Sequence, residues 1–375
     1  MIDNHIDDEF DLAYMRRAIE LAKKGTGAVN PNPLVGAVIV KAGRIIGEGY
    51  HVRYGELHAE RAAFASLADP AEAEGAVMYV TLEPCCHFGK QPPCVDAIIE
   101  HKIRKVYCGS DDPNAMVAGK GFSRLRDAGI EVYTHCLKDE CDALNDIFFK
   151  YIIAKKPYVT MKYAMTMDGR IATHIGASKW ITGKASRAYV MELRNRHKGI
   201  MAGIGTVLAD DPMLNCRIEN GVDPVRIVCD SHLQIPLECQ LVKTAKDIET
   251  IVCYAEENEE KQKALMEAGV QLIKAEKDGQ VDLEKLMMEL GSMEIDSVLV
   301  EGGGAIHGSF LTSGLVQKVY CYIAPKMIGG KDALSPVLGK GIEKMSDAVE
   351  ITDVTVQNFG SDICVSGHVK QKKEG

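Results

Sequence analysis

A single metal ion requires its ligands to converge in space, and this chain sets three soft-metal ligands well apart in sequence. His58-Ala59-Glu60 is followed by Pro84-Cys85 and later by Cys94. One histidine and two cysteines are zinc-type donors. The alanine-rich stretch from His58 to Leu67 reads as a helix. Val77–Leu82, rich in β-branched residues, reads as a buried strand that runs into Glu83-Pro84-Cys85. Proline suits a helix start, so Cys85 is expected on the first turn of the next helix, continued by Val95–His101. Any fold that satisfies the motif must bring these helix N-termini side by side. There the positive end of each helix dipole favours thiolate over thiol.

Three ligands leave a fourth position open for water, the arrangement of catalytic rather than structural zinc. Glu60 is read as a proton carrier and not a ligand. His-x-Glu followed by Pro-Cys-x-x-Cys is the pattern of hydrolytic zinc deaminases. Here eight residues, from Cys86 to Pro93, separate the two cysteines. A purely structural zinc would need a fourth protein ligand from Cys86 or His87. Adjacent helical residues point about 100° apart, so Cys85 and Cys86 are not expected to share one ion. The implied reaction removes an amino group from an amidine-like ring carbon, with Glu60 moving protons from water to the ring nitrogen and the departing ammonia. The stretched segment carries His87 and Lys90, and Asn30–Gly36, Gly47–His51 and Asp111–Asn114 form loops nearby in the expected fold. Asn, Asp, Pro and Gly in these segments suit ordinary turns, and their joint proximity to the metal strands favours a polar, cationic substrate pocket.

At 375 residues the chain is long enough for two domains. A helix is expected over 7–24, a hairpin over 35–49, a strand over 105–109 and a helix–strand pair over 121–134. A helix over Asp139–Ile153 then runs into Lys155-Lys156-Pro157, and the domains are drawn as 1–148 and 149–375. Beyond it, strands are expected at Tyr158–Ala164, Gly199–Ala202, Val225–Cys229, Ile251–Tyr254, Val270–Ile273 and Ser297–Val300, with helices between, including Lys184–Lys198. Alternating strands and helices make both halves α/β layered domains.

The balance of 44 basic and 53 acidic residues gives a formal charge of -9. Such a surface does not attract a phosphate backbone, so nucleic acid is not an expected partner. Twelve cysteines without framework spacing, and an opening Met-Ile-Asp-Asn-His with no leader pattern, point to a reducing cytoplasm. No apolar run of about 18 residues suggests a membrane span.

These motifs resemble the bifunctional riboflavin-biosynthesis deaminase/reductase family. Asn30-Pro-Asn-Pro-Leu-Val-Gly36, His58-Ala-Glu60 and Thr81-Leu-Glu-Pro-Cys-Cys-His-Phe-Gly-Lys-Gln-Pro-Pro-Cys94 match its deaminase half. Met167-Asp-Gly-Arg-Ile-Ala172, Ser178-Lys-Trp-Ile-Thr-Gly183, Gly203-Ile-Gly-Thr-Val-Leu-Ala-Asp-Asp-Pro212 and Val300-Glu-Gly-Gly-Gly304 match its reductase half. The resemblance implies a cytidine-deaminase-like three-layer domain followed by a dihydrofolate-reductase-like α/β domain. It implies one zinc per chain, NADPH, a phosphorylated pyrimidine substrate and a homo-oligomer. It makes His58, Cys85 and Cys94 the zinc ligands and Glu60 the proton carrier, with Asn32, His51, His87 and Lys90 as pyrimidine or phosphate contacts. Two departures stand out. Cys86 replaces a commoner serine, and Asp112-Pro113-Asn114-Ala115 lacks a second proline often found there.

Without the resemblance the second half says less. Glu301-Gly302-Gly303-Gly304 ends a strand and opens a helix, which suits either a pyrophosphate cradle or a tight turn. By the resemblance, Ala164, Trp180, Thr206, Asp210 and Ser231, with Gly303, Gly304, Ala305, Ile306, His307, Gly308 and Ser309, line the NADPH site. Ser178, Arg194, Leu214, Arg217 and Glu301 line the substrate site. The planar forks of Arg194 and Arg217 suit phosphate oxygens. Lys162 and Asp210 are candidates for steering protons while the cofactor reduces an opened ribosylamine.

Overall fold

The computed structural model describes residues 9–370, and the chain divides into two compact units between Lys155 and Lys156. The first begins with α1 (Glu9–Lys23) and the hairpin β1 (Gly36–Lys41) and β2 (Arg44–Tyr50). There follow α2 (Ala59–Ala65), β3 (Val77–Leu82), α3 (Cys94–Glu100), β4 (Lys105–Ser110), α4 (Lys120–Asp127), β5 (Glu131–Tyr133), α5 (Lys138–Asp142) and α6 (Asp146–Ala154). The sheet order is β2-β1-β3-β4-β5, antiparallel on the β1 side and parallel from β3 to β5.

Side chains alternate across a strand, and that alternation divides this sheet between two cores. Ala37, Ile39, Met78, Val80, Val106 and Cys108 pack against Ala63 and Phe64 of α2, Val95 and Ile98 of α3, and Leu125 of α4. Val38, Val40, Tyr79 and Tyr107 face Met15, Ile19 and Ala22 of α1 and Cys141 of α5. Three layers result. Glycine is required where α2 crosses β2, because a Cβ on Gly49 would lie 2.2 Å from the Ala63 nitrogen.

Two expectations are corrected here. Cys85 is not on a helix: residues 83–93 are non-helical and α3 begins at Cys94. Pro92 and Pro93 keep their predecessors extended and remove two donors. The single helix expected over 139–153 is two, α5 and α6. Asn145, at the break, receives the Leu34 N–H on Oδ1 at 2.8 Å and donates Nδ2 to the Leu34 carbonyl at 2.9 Å. A long-range pairing takes precedence over helix continuation at that residue.

The second unit runs β6 (Tyr158–Thr166), α7 (Lys184–Arg196), β7 (Gly199–Gly203), α8 (Ile204–Asp210), β8 (Val225–Cys229), α9 (Gln240–Lys243), β9 (Thr250–Tyr254) and α10 (Glu259–Glu267). It continues with β10 (Gln271–Lys274), the small hairpin β11 (Glu276–Lys277) and β12 (Gln280–Val281), α11 (Leu283–Ser292), β13 (Ser297–Gly302) and α12 (Gly304–Ser313). The last strands are β14 (Lys318–Ala324), β15 (Ile351–Phe359) and β16 (Asp362–Val369). The main sheet has nine strands in the order β10-β9-β8-β7-β13-β6-β14-β16-β15.

Its parallel centre is covered on both faces, as parallel sheets require. Val298, Val300, Met201 and Ile227 pack with Leu286 and Leu290 of α11 and Phe310 of α12. Ile200, Ala202, Val228 and Val252 pack on the other face with Val207, Leu241 and Leu265. Leu299 and Tyr322 meet Val190, Met191 and Leu193 of α7. The Gly203–Pro212 motif contains α8, and β14, β15 and β16 are not among the strands that the sequence pattern predicts. β15 has no buried face to mark it, being exposed along nearly its whole length.

Candidate active sites

In the first unit, the chain exits β3 at Leu82 and places Cys85 at the N-terminus of α3. The Cys85 carbonyl accepts the Val95 N–H at 3.2 Å, and its Sγ accepts the Cys94 N–H at 3.3 Å. His58 precedes α2 with extended backbone and serves as its N-cap residue. Its Nδ1 lies 3.5 Å from Cys85 Sγ and 3.4 Å from Cys94 Sγ. The three donor atoms all fall within 4.8 Å of one another. Zinc–sulfur and zinc–nitrogen lengths set a tetrahedral N···S edge of roughly 3.6 Å, which both His58–cysteine separations match.

The electrostatics agree. A hydrogen bond from the Cys94 thiol, with others from His58 and the Cys94 N–H, holds the Cys85 pKa at about 4 against the cost of burial. Glu60 is 3% exposed. Burial, followed by the Cys85 charge, raises its pKa above the ordinary carboxylate value. A carboxyl so placed exchanges protons more readily near neutral pH.

Around this centre, His51 Nε2 lies 3.0 Å from Asn32 Nδ2 while its Nδ1 lies 3.0 Å from the Leu57 carbonyl. The carbonyl requires a proton on Nδ1, which leaves Nε2 to accept from the Asn32 amide. Burial lowers the His51 pKa and keeps the ring neutral. Lys90 Nζ sits 3.7 Å from the Tyr54 ring centroid, and His87 Nδ1 is buried without a protein partner. Cys86 turns away, with Sγ 3.7 Å from the Met116 carbonyl.

Glu83 escaped sequence reading. It is 3% exposed, and its oxygens accept from the amides of Asp112 (3.5 Å), Gly119 (3.0 Å), Gly121 (3.0 Å) and Phe122 (3.4 Å). One carboxylate thus ties the Cys85 turn to the 112–122 segment. Asp112, which burial raises to about 6, lies on that segment. Arg61 is a second support, donating to the carbonyls of Pro92 and Pro93 just before Cys94. Neither residue shows a sequence signal apart from its place beside the motif.

In the second unit a cavity of about 420 Å³ opens above the central strands. Lys162, Ala164, Ser178, Trp180, Arg194, Thr206, Asp210, Leu214, Arg217 and Glu301 all line it, together with Lys179, Arg187, Met213, Gln240 and Tyr322. The strand residues, Lys162, Ala164, Ala202, Glu301 and Tyr322, come from the C-terminal parts of β6, β7, β13 and β14, where ligands bind in open α/β sheets. Arg194 Nε and Nη2 donate to the two oxygens of Glu301 at 2.7 and 2.8 Å, and Nη1 donates to the Asn215 carbonyl at 2.8 Å. Despite burial, Arg194 holds the Glu301 pKa down at about 2. Burial pushes the Lys162 ammonium pKa down. Asp210 lies 3.4 Å from Ser178 Oγ and 3.6 Å from Lys179 Nζ.

The glycine-rich segment is placed differently. Gly303 is the N-cap residue of α12, and a Cβ there would lie 3.3 Å from Thr206 Oγ1 at the cavity. Gly304 and Gly308 lie under the chain at 335–338, where a Cβ on Gly308 would sit 1.7 Å from the Leu338 carbonyl oxygen. Ile306 and His307 are buried, with His307 Nδ1 2.9 Å from the Pro336 carbonyl, while Ala305 and Ser309 are exposed. Ser231 Oγ lies 3.2 Å from both Gln280 Oε1 and the Val281 nitrogen. Of these residues Gly303 approaches Thr206, and His307 lies within electrostatic reach of Lys162 and Glu301, all three partners lining the cavity.

A three-layer unit with a zinc-type centre and a buried glutamate, followed by a nine-stranded reductase-type unit with a cavity over its parallel strands, defines a fused zinc deaminase and reductase. Known proteins agree. The cytidine and deoxycytidylate deaminase zinc-binding region matches residues 8–110, and the RibD C-terminal domain matches residues 157–365. The riboflavin biosynthesis protein RibD of Actinobacillus pleuropneumoniae is 52% identical, covering 94% of this chain and 94% of that one. That of Escherichia coli is 38% identical over 96% of this chain and 99% of its own. The solved deaminase/reductase of Thermotoga maritima, at 38% identity, superimposes with a TM-score of 0.85 over 96% of this chain and 99% of that one.

The chain belongs to the bifunctional riboflavin-biosynthesis deaminase/reductase family. It is a zinc-dependent deaminase and an NADPH-dependent reductase. Among the described residues no helix is long and apolar enough to cross a membrane.

Proposed function

We propose that the first unit deaminates 2,5-diamino-6-ribosylamino-4(3H)-pyrimidinone 5′-phosphate and that the second reduces the ribosyl side chain of the product. The result would be 5-amino-6-ribitylaminouracil 5′-phosphate. The observation that carries the first step is the convergence of His58, Cys85 and Cys94 beside a buried Glu60.

Zinc, when bound, supplies the Lewis acid that makes water nucleophilic near neutral pH. His58, Cys85 and Cys94 hold it, and Glu60 accepts the proton of the attacking water. Glu60 passes that proton to the ring nitrogen as the new C–O bond forms, then takes the remaining hydroxyl proton and gives it to the amine as the C–N bond breaks. Asn32, oriented by His51, holds the pyrimidine edge, and His87 and Lys90 face the substrate from the stretched loop.

In the second unit NADPH supplies the hydride. Glu301 and Arg194 form the fixed, charge-neutral wall of the cavity. Lys162 Nζ, whose pKa burial lowers, and Asp210 carry protons to the opened ribosylamine. Ser178, Leu214 and Arg217 contact the substrate. Ala164, Trp180 and Thr206, with Gly303 beside Thr206, serve the cofactor.

A two-stage assay tests the reading: ammonia release from the diamino substrate, then NADPH oxidation on the deaminated product. Ammonia release without later NADPH oxidation would remove the second step. The reverse would remove the first.

Self-association is also proposed. β15 is the outer strand of the nine-stranded sheet and exposes Ile351, Val354 and Val356. An exposed apolar edge strand favours pairing with a second copy. Light scattering should give a mass above the 40.9 kDa of one chain, and Val356→Lys should lower it. A cytoplasmic location is in keeping with twelve unpaired cysteines.

A further inference from the structure

Arg194 is committed to Glu301, so it adds little net positive charge to the cavity. Its two shortest carboxylate contacts, 2.7 and 2.8 Å, form a near-buried bidentate pair. Lys179 stands 3.6 Å from Asp210, a second pairing of opposite charges. Both phosphate monoesters that the proposed reaction brings to this cavity, the substrate's 5′-phosphate and the 2′-phosphate of NADPH, are mostly dianionic at neutral pH. They require a cation whose hydrogen-bond donors are not already engaged.

Arg187 meets that requirement. It lies on the cavity-facing side of α7, one turn before Met191 and two turns before Arg194, all three lining the cavity. Seven residues of helix separate the two arginines by roughly 10 Å, so Arg187 serves the opposite end of the wall from the Arg194–Glu301 pair. Its Cζ sits 4.5 Å from the centroid of the Trp180 ring, and Nη1 donates to the Thr182 carbonyl at 2.5 Å. These contacts fix the guanidinium plane. No acceptor among the described residues meets its Nε or Nη2, which leaves an edge of the fork for an anion.

The helix itself is held from afar. Asp362 of β16 accepts from the Gly183 nitrogen at 2.7 Å and from Ser186 Oγ at 2.5 Å. The first turn of α7, and Arg187 with it, is therefore fixed by the buried carboxylate of a distant strand.

We propose that Arg187 is a further ligand-binding residue of the reductase half, receiving a phosphate monoester. The inference rests on the reading that reduction takes place in this cavity.

The test uses the full zinc-loaded chain and the variants Arg187→Ala and Arg187→Lys. KM is measured for the deaminated pyrimidine with and without its 5′-phosphate, and for NADPH and NADH. Loss of a charge-assisted hydrogen bond should raise KM about tenfold for one monoester-bearing ligand in Arg187→Ala. The counterpart lacking that phosphate should not change, kcat should stay within about twofold, and Arg187→Lys should recover part of the loss. A shift confined to the phosphorylated pyrimidine assigns the substrate; one confined to NADPH assigns the cofactor. Equal shifts with and without the monoester, or no shift in any KM, would overturn the proposal. Wild-type chain that fails to oxidise NADPH would instead remove the underlying reading of the cavity.

Discussion

Arg194 and Glu301 face each other in the reductase unit with two parallel N–H···O contacts of 2.7 and 2.8 Å, and their side chains are 10% and 9% exposed. Removing one partner of such a pair strands the other. Arg194→Met is expected to destabilise the unit by about 3–5 kcal/mol, measured by urea unfolding. A loss under about 1 kcal/mol would mean that the pair is dispensable to the fold.

The same pair sets an acid dependence. The Glu301 pKa is depressed from 4.5 to about 2, so the folded state binds its proton less readily than the unfolded state. The stabilisation is fully present above about pH 4.5 and is lost as pH falls toward 2. Thermal unfolding of wild type and Glu301→Gln should therefore differ most above pH 4.5 and converge below it. Parallel curves across that window would exclude the linkage.

Glu60→Gln keeps the shape of the side chain and removes its basicity. Ammonia release should fall by about 10²–10⁴-fold, with zinc retained by elemental analysis and NADPH oxidation on the deaminated product nearly unchanged. Stripping the metal with a chelator should abolish the first activity and spare the second, and added zinc should restore it. Persistent deamination by the Glu60 variant would transfer the proton role elsewhere.

Glu83→Ala leaves four amides, those of Asp112, Gly119, Gly121 and Phe122, without their acceptor. Each buried unsatisfied group costs about 1–3 kcal/mol, although water reaching the opened site offsets part of that. Faster hydrogen exchange at residues 112–122 and reduced deamination are expected, with reductase activity preserved. Unchanged exchange in that segment would mean that the carboxylate does not hold it.

Two glycines in the reductase unit should respond in opposite directions. Gly308→Ala would place a Cβ 1.7 Å from the Leu338 carbonyl oxygen. Backbone must move, at a cost of about 1–3 kcal/mol or more. Gly205, within α8, has no atom within 4 Å of a Cβ. Alanine there should stabilise by about 0.5–1 kcal/mol. Thermal melts of the two variants provide the comparison.

The sequence by itself determined the zinc-type chemistry, because His58, Cys85 and Cys94 are zinc-type donors and Glu60 is a proton carrier set two residues from the first of them. It also determined the alternation of strands and helices through the first thirteen strands' apolar runs, apart from the two-residue β11 and β12. It did not place Cys85, which caps α3 from a non-helical turn because the prolines before Cys94 prevent an earlier helix start. It could not show that Asn145 breaks a helix to bind Leu34, or that Asp362 fixes the start of α7, since both depend on partners more than a hundred residues away. Arg194 and Arg187 look equivalent as exposed-type residues on one helix. Only the fold decided between them, by bringing Glu301 against the first and leaving an edge of the second open to the cavity.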